Sequence, residues 1–281
     1  MALAERRIAE RGAVRASLNY IVDTGVKPVA ESYGPGIGLL RRNTSTFAPQ
    51  IVDIHDARPK RGSFTLDGAG FELVDQPTAM KDFLDPNELR AVYYPEMERL
   101  IAARSGAARV HIFDHTLRTS DEAMRQAKQL REPVLAVHND YTEWSGPQRV
   151  HDFFPDEADA LLRRRMAIIQ VWRAINRPVE RDPLAIADFR SLAPQDFVAA
   201  ERRFPDRVGE IYQFQYNPAH RWYYFPHMHR DEALVFKVYD SVKDGRARWG
   251  AHSAFIDPEA PADAPARESI EIRAFAFFNS V

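Results

Sequence analysis

PVLAVHND, residues 133–140, sets an apolar run (Val134, Leu135, Ala136, Val137) directly against His138, Asn139 and Asp140. The run has the length and aliphatic composition of a buried strand that meets solvent where the polar residues begin. It is one of nine such runs after Ala108: RVHIFDHT, PVLAVHND, MAIIQVWRAIN, PLAIADF, GEIYQFQYN, HRWYYFPHM, EALVFKVYDS, RWGAHSAFI and ESIEIRAFAFF. Each is bounded by Pro, Gly, Asp or Asn, and few helices intervene, which is the pattern of an antiparallel sandwich or barrel. The expected fold is mainly β with flanking helices, built on a double-stranded β-helix (jelly roll) core over residues 108–281.

Residues 1–107 read as an N-terminal extension of the same single domain, residues 1–281. A short charged helix opens it, and Gly/Pro-rich text over residues 24–50 suits an irregular arm. That arm fits either of two uses, embracing a second copy in a homodimer or covering the site. GSFTLDGAGFELV, residues 62–74, reads as a hairpin around Asp67 and Gly68. A helix is expected from Asp85 as cap and Pro86 as first residue to Gly106, and a second over Ser120–Leu130 with Ser120 as cap. Asp156–Arg165 has helical character as well.

Composition removes several chemistries. With no cysteine there can be no disulfide, thiolate metal site or cysteine nucleophile, so any transition metal must be held by His, Asp or Glu. A net charge of −2, with 38 basic and 40 acidic residues interspersed, favours neither nucleic acid nor an anionic membrane as partner. The first residues carry alternating charges and no apolar segment of a secretory leader, and no run of apolar residues is long enough to span a bilayer. A cytoplasmic enzyme acting on a small molecule is expected. An α/β-hydrolase is excluded by the lack of a G-x-S-x-G elbow.

In a strand, residues i and i+2 project to the same side, so His138 and Asp140 converge. An imidazole and a carboxylate are two legs of the 2-His-1-carboxylate triad, which holds Fe(II) while leaving positions open for O2 and organic ligands. For the third leg, His252 lies 112 residues beyond Asp140 and about five strands later, a separation that suits facing strands of a jelly roll. His220 is the rival third ligand. His227 and His229 with Glu232 form an H-x-H alternative of cupin type, which would serve a metal-dependent hydrolase or isomerase; a non-catalytic binding protein on the same barrel is another alternative. Downstream of His252, Arg267 and Ser269 share a face of the final strand and make a guanidinium-plus-hydroxyl clamp suited to one carboxylate. Arg273, on the same face, is the runner-up. Arg173, within QVWRAIN, is a further candidate for an anionic group, whereas Asp114, His115 and Arg118 could build either a network behind the ligands or a structural corner, of which the structural role is favoured.

These blocks together resemble the asaB-type hydroxylase/desaturase family, through IFDHTLR (112–118), VHNDYT (137–142), QVWRAINRPVERDPLAIAD (170–188), HRWYYFPHMHRDEALVFKVYDS (220–241), AHSAFIDP and PARESIEIRAF. The resemblance implies a non-haem Fe(II), 2-oxoglutarate-dependent oxygenase that uses O2 to hydroxylate or desaturate a secondary metabolite. Carried over, His138 and Asp140 take the H-x-D positions, His252 the H-(T/S)-A-F histidine, and Arg267 and Ser269 the R-x-S pair. The family's Trp-Arg-Pro is Trp172, Arg173 and Ala174 here.

Overall fold

Met166–Ala174 (β8) is buried at all of its positions, which requires cover on both faces. It lies at the centre of an antiparallel five-stranded sheet, in the order Phe71–Asp75 (β5), Glu232–Asp240 (β13), β8, Glu268–Phe277 (β15) and Arg109–Thr119 (β6). This computed structural model describes residues 12–33 and 39–279. Facing the smaller sheet is one of ten strands: Ala13–Ile21 (β1), Phe47–Asp56 (β4), Trp222–Tyr224 (β12), Leu184–Ala187 (β9), His252–Ala254 (β14), His138–Asn139 (β7), Val208–Phe214 (β11), Phe197–Arg203 (β10), Val29–Tyr33 (β2) and Leu39–Asn43 (β3). Two packed sheets with antiparallel core strands form the expected jelly roll.

Alternation sorts the core into layers. Phe236, Trp172, Phe275 and Ile186 pack between the sheets. Ile270, Ile272, Ala274 and Ala276 point the other way, onto Met97, Leu100 and Ile101 of helix α1 (Tyr94–Ser105). A third cluster lies on the far face of the large sheet, where Val14, Leu18 and Tyr20 pack with Ala185, Ala187 and Trp222.

The N-terminal text is more regular than expected. The arm over residues 24–50 contributes β2, β3 and the start of β4, and with β1 these strands extend the large sheet at both of its edges. One face of β4 is open to solvent, so polar residues and Pro49 are tolerated there and hide the strand pattern. The charged helix expected at the start of the chain falls outside the described residues. The expected hairpin over 62–74 is not formed. Residues Arg58–Ser63 form a 3-10 turn, and Thr65 then caps a loop, its hydroxyl accepting from Gly68 N at 3.0 Å. Only β5 remains as a strand, paired with β13. Gly70 sits at φ +93°, where a Cβ would meet Ala247 Cβ and Trp249 O at 3.4 Å, so the loop requires glycine there.

The first expected helix is present as Pro86–Glu88, a widened turn over Leu89–Tyr93, and α1. Asp85 Oδ1 accepts from Asn87 N at 2.8 Å, and Gly106 ends the run at φ 76°. Pro95 has no N–H to offer Ala91 O, which accounts for the widened turn before it. The second helix, α2 (Glu122–Lys128), is capped by Asp121 rather than Ser120, whose hydroxyl accepts from Arg267 N at 2.8 Å instead. Helix α3 (Ser145–Phe153) and strand β10 have no counterpart in the strand and helix expectations, while α4 (Ala158–Leu162) falls inside the expected Asp156–Arg165.

Candidate metal centre

β7 contributes only two residues to the ladder, but it is held on both sides, His138 pairing with Gln213 of β11 and with His252 of β14. That register puts the two imidazoles side by side, 4.3 Å between ring centroids. Asn139 turns away and fastens the strand: its amide donates to Tyr141 O at 2.7 Å and Val238 O at 2.9 Å, and its Oδ1 accepts from Gly250 N at 2.9 Å. Asp140 returns to the histidine side, with Oδ1 3.4 Å from His138 Nε2. One ligand atom from each of His138, Asp140 and His252 lies within 4.8 Å of the other two, and no other such cluster exists among the described residues.

The remaining atoms of the three side chains are occupied in a way that leaves the ligand atoms free. Nδ1 of His138 faces Ala136 O at 2.8 Å and Nδ1 of His252 faces Gly250 O at 2.8 Å, so each Nδ1 carries the proton and each Nε2 a lone pair. Burial, and the neighbouring His138, lower the His252 pKa to about 4, which keeps its ring neutral. Asp140 Oδ2 accepts from Gln170 Nε2 at 2.6 Å and from Arg273 Nε at 2.7 Å. Burial opposes the charge on Asp140, but the Arg273 guanidinium outweighs it and holds the carboxyl well below its ordinary range. A neutral–neutral–anionic N,N,O donor set is the ligand chemistry of Fe(II) bound on one face, so the residues present fit that ion.

Arg273 makes four side-chain hydrogen bonds. Besides Asp140 it donates to Asp114 at 3.0 Å, to Thr116 at 3.1 Å and to Glu271, and Glu271 also accepts from Arg118 at 2.9 and 3.2 Å. Asp114 and Arg118 therefore belong to a network that reaches Asp140, not to a separate structural corner; His115 alone lies elsewhere, 2.6 Å from Tyr94 Oη. The signal was present in the sequence, since Ser269, Glu271 and Arg273 alternate with the apolar Ile270, Ile272 and Ala274 along β15 and share the inner face.

Arg267 is buried, with Nε donating to Ser269 Oγ at 3.1 Å and Nη1 to Asp182 O at 2.7 Å. Its guanidinium lies 5.3 Å from the Trp172 ring, and Nη2 has no partner among the described residues. Burial, then the neighbouring Arg118, lower its pKa to about 10.

Two expectations are corrected. Arg173 points away from the triad: on β8, Gln170 and Trp172 face inward, so Arg173 lies on the helix side, 5.2 Å from the Tyr93 ring and donating to Arg230 O at 3.0 Å. Its buried Nε and Nη2 show no hydrogen-bond partner among the described residues. His220 is also remote from the triad. Its Nε2 meets Asp196 Oδ2 at 3.0 Å and its Nδ1 the Tyr20 hydroxyl at 3.2 Å, in the layer on the far face of the large sheet. The H-x-H alternative loses its carboxylate, because Glu232 is bound by Arg58 at 2.7 and 2.8 Å and accepts from His229 N.

Known proteins resemble this chain along its length. A family model described as "YDMC: Oxidoreductase/YMDC permease-like domain" matches residues 18–277. No helix among the described residues is long and apolar enough to cross a membrane. Hydroxylase/desaturase efuI of Hormonema carpetanum is 31% identical over 94% of this chain and 95% of its own. Alpha-ketoglutarate-dependent dioxygenase phiK of Fungal sp. (strain ATCC 74256) is 31% identical over 96% and 98%. A solved structure of the iron and alpha-ketoglutarate-dependent endoperoxidase NvfI superposes with a TM-score of 0.83 at 27% identity, covering 96% of this chain and 99% of that one.

Proposed function

This chain belongs to the family of Fe(II)/2-oxoglutarate-dependent hydroxylases and desaturases, and on that premise we propose that His138, Asp140 and His252 hold its iron and that Arg267 and Ser269 receive its co-substrate. The protein is a dioxygenase acting on a small organic molecule. The observation that carries the assignment is the convergence of the three ligand atoms while both Nδ1 atoms and Asp140 Oδ2 are engaged elsewhere.

When bound, Fe(II) and 2-oxoglutarate would supply the oxidising chemistry, coupling oxidative decarboxylation of the keto acid by O2, which yields succinate and CO2, to the two-electron oxidation of an organic C–H bond. The chain's own residues perform the holding and the orientation. The carbonyls of Ala136 and Gly250 keep each imidazole in the ligating tautomer. Gln170 and Arg273 fix the plane of the Asp140 carboxylate and present Oδ1. Arg267, whose Nη2 has no partner among the described residues, and the adjacent Ser269 hydroxyl would take the distal carboxylate of 2-oxoglutarate, with Trp172 beneath the guanidinium. Arg273 is less suited to that task because its donors already serve four side chains. Phe236, with its ring 5.1 Å from His252, helps to exclude water.

Anaerobic addition of Fe(II) and 2-oxoglutarate is expected to give the visible band of an iron–keto-acid complex, and O2 to give succinate. Asp140→Leu should lose both the band and bound iron. Iron retained in that variant would overturn the ligand assignment.

A further inference from the structure

On the wall of the large sheet that carries His138, the register leads to a second set of charges. His138 pairs with Gln213, and Gln213 with Val198, so Val198 shares the triad's face and Ala200 and Arg202 follow it at two-residue steps. Asn139 pairs with Tyr212, which sets Asp140 beside Ile211 and Ala200; Arg202 is one inward step further, roughly 7 Å along the strand. Arg202 is partly buried, and it makes no hydrogen bond or ion pair among the described residues. Burial lowers its pKa, opposed by the charge of Asp140. Asp140, however, is already held by Arg273 and Gln170, and it faces the metal side.

Arg207 joins it from across the hairpin. Gly209 pairs with Arg202, and a Cβ built on Gly209 would lie 3.4 Å from Arg207 Nη1. The Arg207 guanidinium therefore lies over bare glycine backbone on the same face as Arg202, with its carbon 4.0 Å from the Phe204 ring. It too has no ion pair among the described residues, and burial followed by the nearby Arg149 lowers its pKa. Both guanidiniums are partly desolvated on one face of the hairpin and neither is in an ion pair among the described residues; the acids in their fields are Asp140 for Arg202 and Asp206 and Asp152 for Arg207, and their planar forks match a carboxylate. Beside them are rings: Tyr141, whose hydroxyl lies in the field of Arg207, is 6.3 Å from Phe113, and Phe113 is 5.4 Å from Phe153.

We propose that Arg202 and Arg207 form a carboxylate-binding subsite for the organic substrate, whose hydrophobic body lies along Phe113, Tyr141 and Phe153. The proposal rests on the reading of His138, Asp140 and His252 as the iron centre. It concerns the opposite sheet from Arg267 and Ser269, so substrate and co-substrate are held from two walls.

The test compares acids with their uncharged esters. Benzoate, cinnamate and decanoate, each beside its methyl ester, are titrated calorimetrically into the protein under anaerobic conditions with Fe(II) and 2-oxoglutarate. At least one acid is expected to bind the wild type tenfold or more tighter than its ester. Arg202→Gln and Arg207→Gln should each remove most of that preference while the iron–keto-acid band is retained, and Arg202→Lys should restore part of it. The surface variant Arg164→Ala should change nothing. The proposal is overturned if no acid is preferred over its ester, or if the preference survives in both Gln variants. It is also overturned if Arg202→Gln weakens 2-oxoglutarate binding, since that would make Arg202 part of the co-substrate clamp. Absence of the band in the wild type marks failure of the iron reading alone; the acid–ester comparison still decides the subsite.

Discussion

Two buried histidine–carboxylate pairs on opposite faces of one sheet have different fates. At His220 both ring nitrogens are consumed, Nδ1 by the Tyr20 hydroxyl and Nε2 by Asp196, and Trp222 Nε1 closes the group by donating to Tyr20 Oη at 2.7 Å. At His138 and His252 a backbone carbonyl takes only Nδ1, and the two Nε2 atoms are left to converge with Asp140 Oδ1. The first arrangement is complete in itself and can only stabilise. The second is satisfied everywhere except at the point where a cation would sit. Residue type does not separate them; what each nitrogen is given to do separates them.

The largest effect should come from emptying one ligand position on each side. His252→Ala should abolish iron binding and detectable turnover. His220→Asn should leave iron content near that of the wild type and cost about 2 kcal/mol of stability, because Asp196 and Tyr20 lose a buried partner. Metal analysis and thermal unfolding of the two variants decide it. Loss of iron in His220→Asn, with retention in His252→Ala, would reverse the comparison.

A smaller loss is expected one step out from the ligands. Gln170→Ala removes one of the two donors that fix Asp140 Oδ2, and iron affinity should fall roughly 10- to 100-fold by chelator competition. Arg267→Lys keeps a charge but not the fork, so 2-oxoglutarate affinity should fall about tenfold with iron content unchanged. Arg173→Met should leave 2-oxoglutarate affinity within about twofold, because Arg173 lies on the other face of β8 and its Nε and Nη2 show no partner among the described residues.

Arg173 also shows why part of the site was hidden in the sequence. In a strand buried on both faces, such as MAIIQVWRA, hydrophobicity does not alternate, so nothing in the text says which parity faces the metal. Gln170 and Arg173 look equally eligible until β8 is paired with its neighbours. On β15 Ser269, Glu271 and Arg273 alternate with Ile270, Ile272 and Ala274, so its inner face was readable there, and Arg267, Ser269 and Arg273 were placed on it from the text. His138 and Asp140 were readable because i, i+2 convergence needs only local strand geometry. The link between Arg273 and Asp140 was not, since it joins residues 133 apart through two sheets and depends on how those sheets face each other. β10 was passed over because FVAAERR is partly exposed and carries charges at its end, and with it Arg202.

The smallest effect concerns acid, and it separates the charged network on the metal side from the His220 group. Burial disfavours the charge on Glu271, but Arg118 and then Arg273 overcome it and hold the carboxyl down at about 2, against an ordinary 4.5. A carboxyl whose pKa is depressed in the folded state stabilises fully above its unfolded value and loses that contribution as pH falls through the folded one. The contribution of Glu271 should therefore be complete above about pH 5 and fade toward pH 2. His220, whose pKa burial lowers from an ordinary 6.5, begins to cost stability at a higher pH, because the unfolded chain takes up its proton first. Urea unfolding of wild type and Glu271→Gln across this range should show a stability gap that is widest near neutrality and narrows below about pH 5, whereas the gap for His220→Asn should already narrow below about pH 6.5. If the Glu271→Gln gap stayed constant down to about pH 3, the ion pair with Arg118 would not be what holds this wall together, and the orientation of Arg273 toward Asp140 would have to come from Asp114 and Thr116.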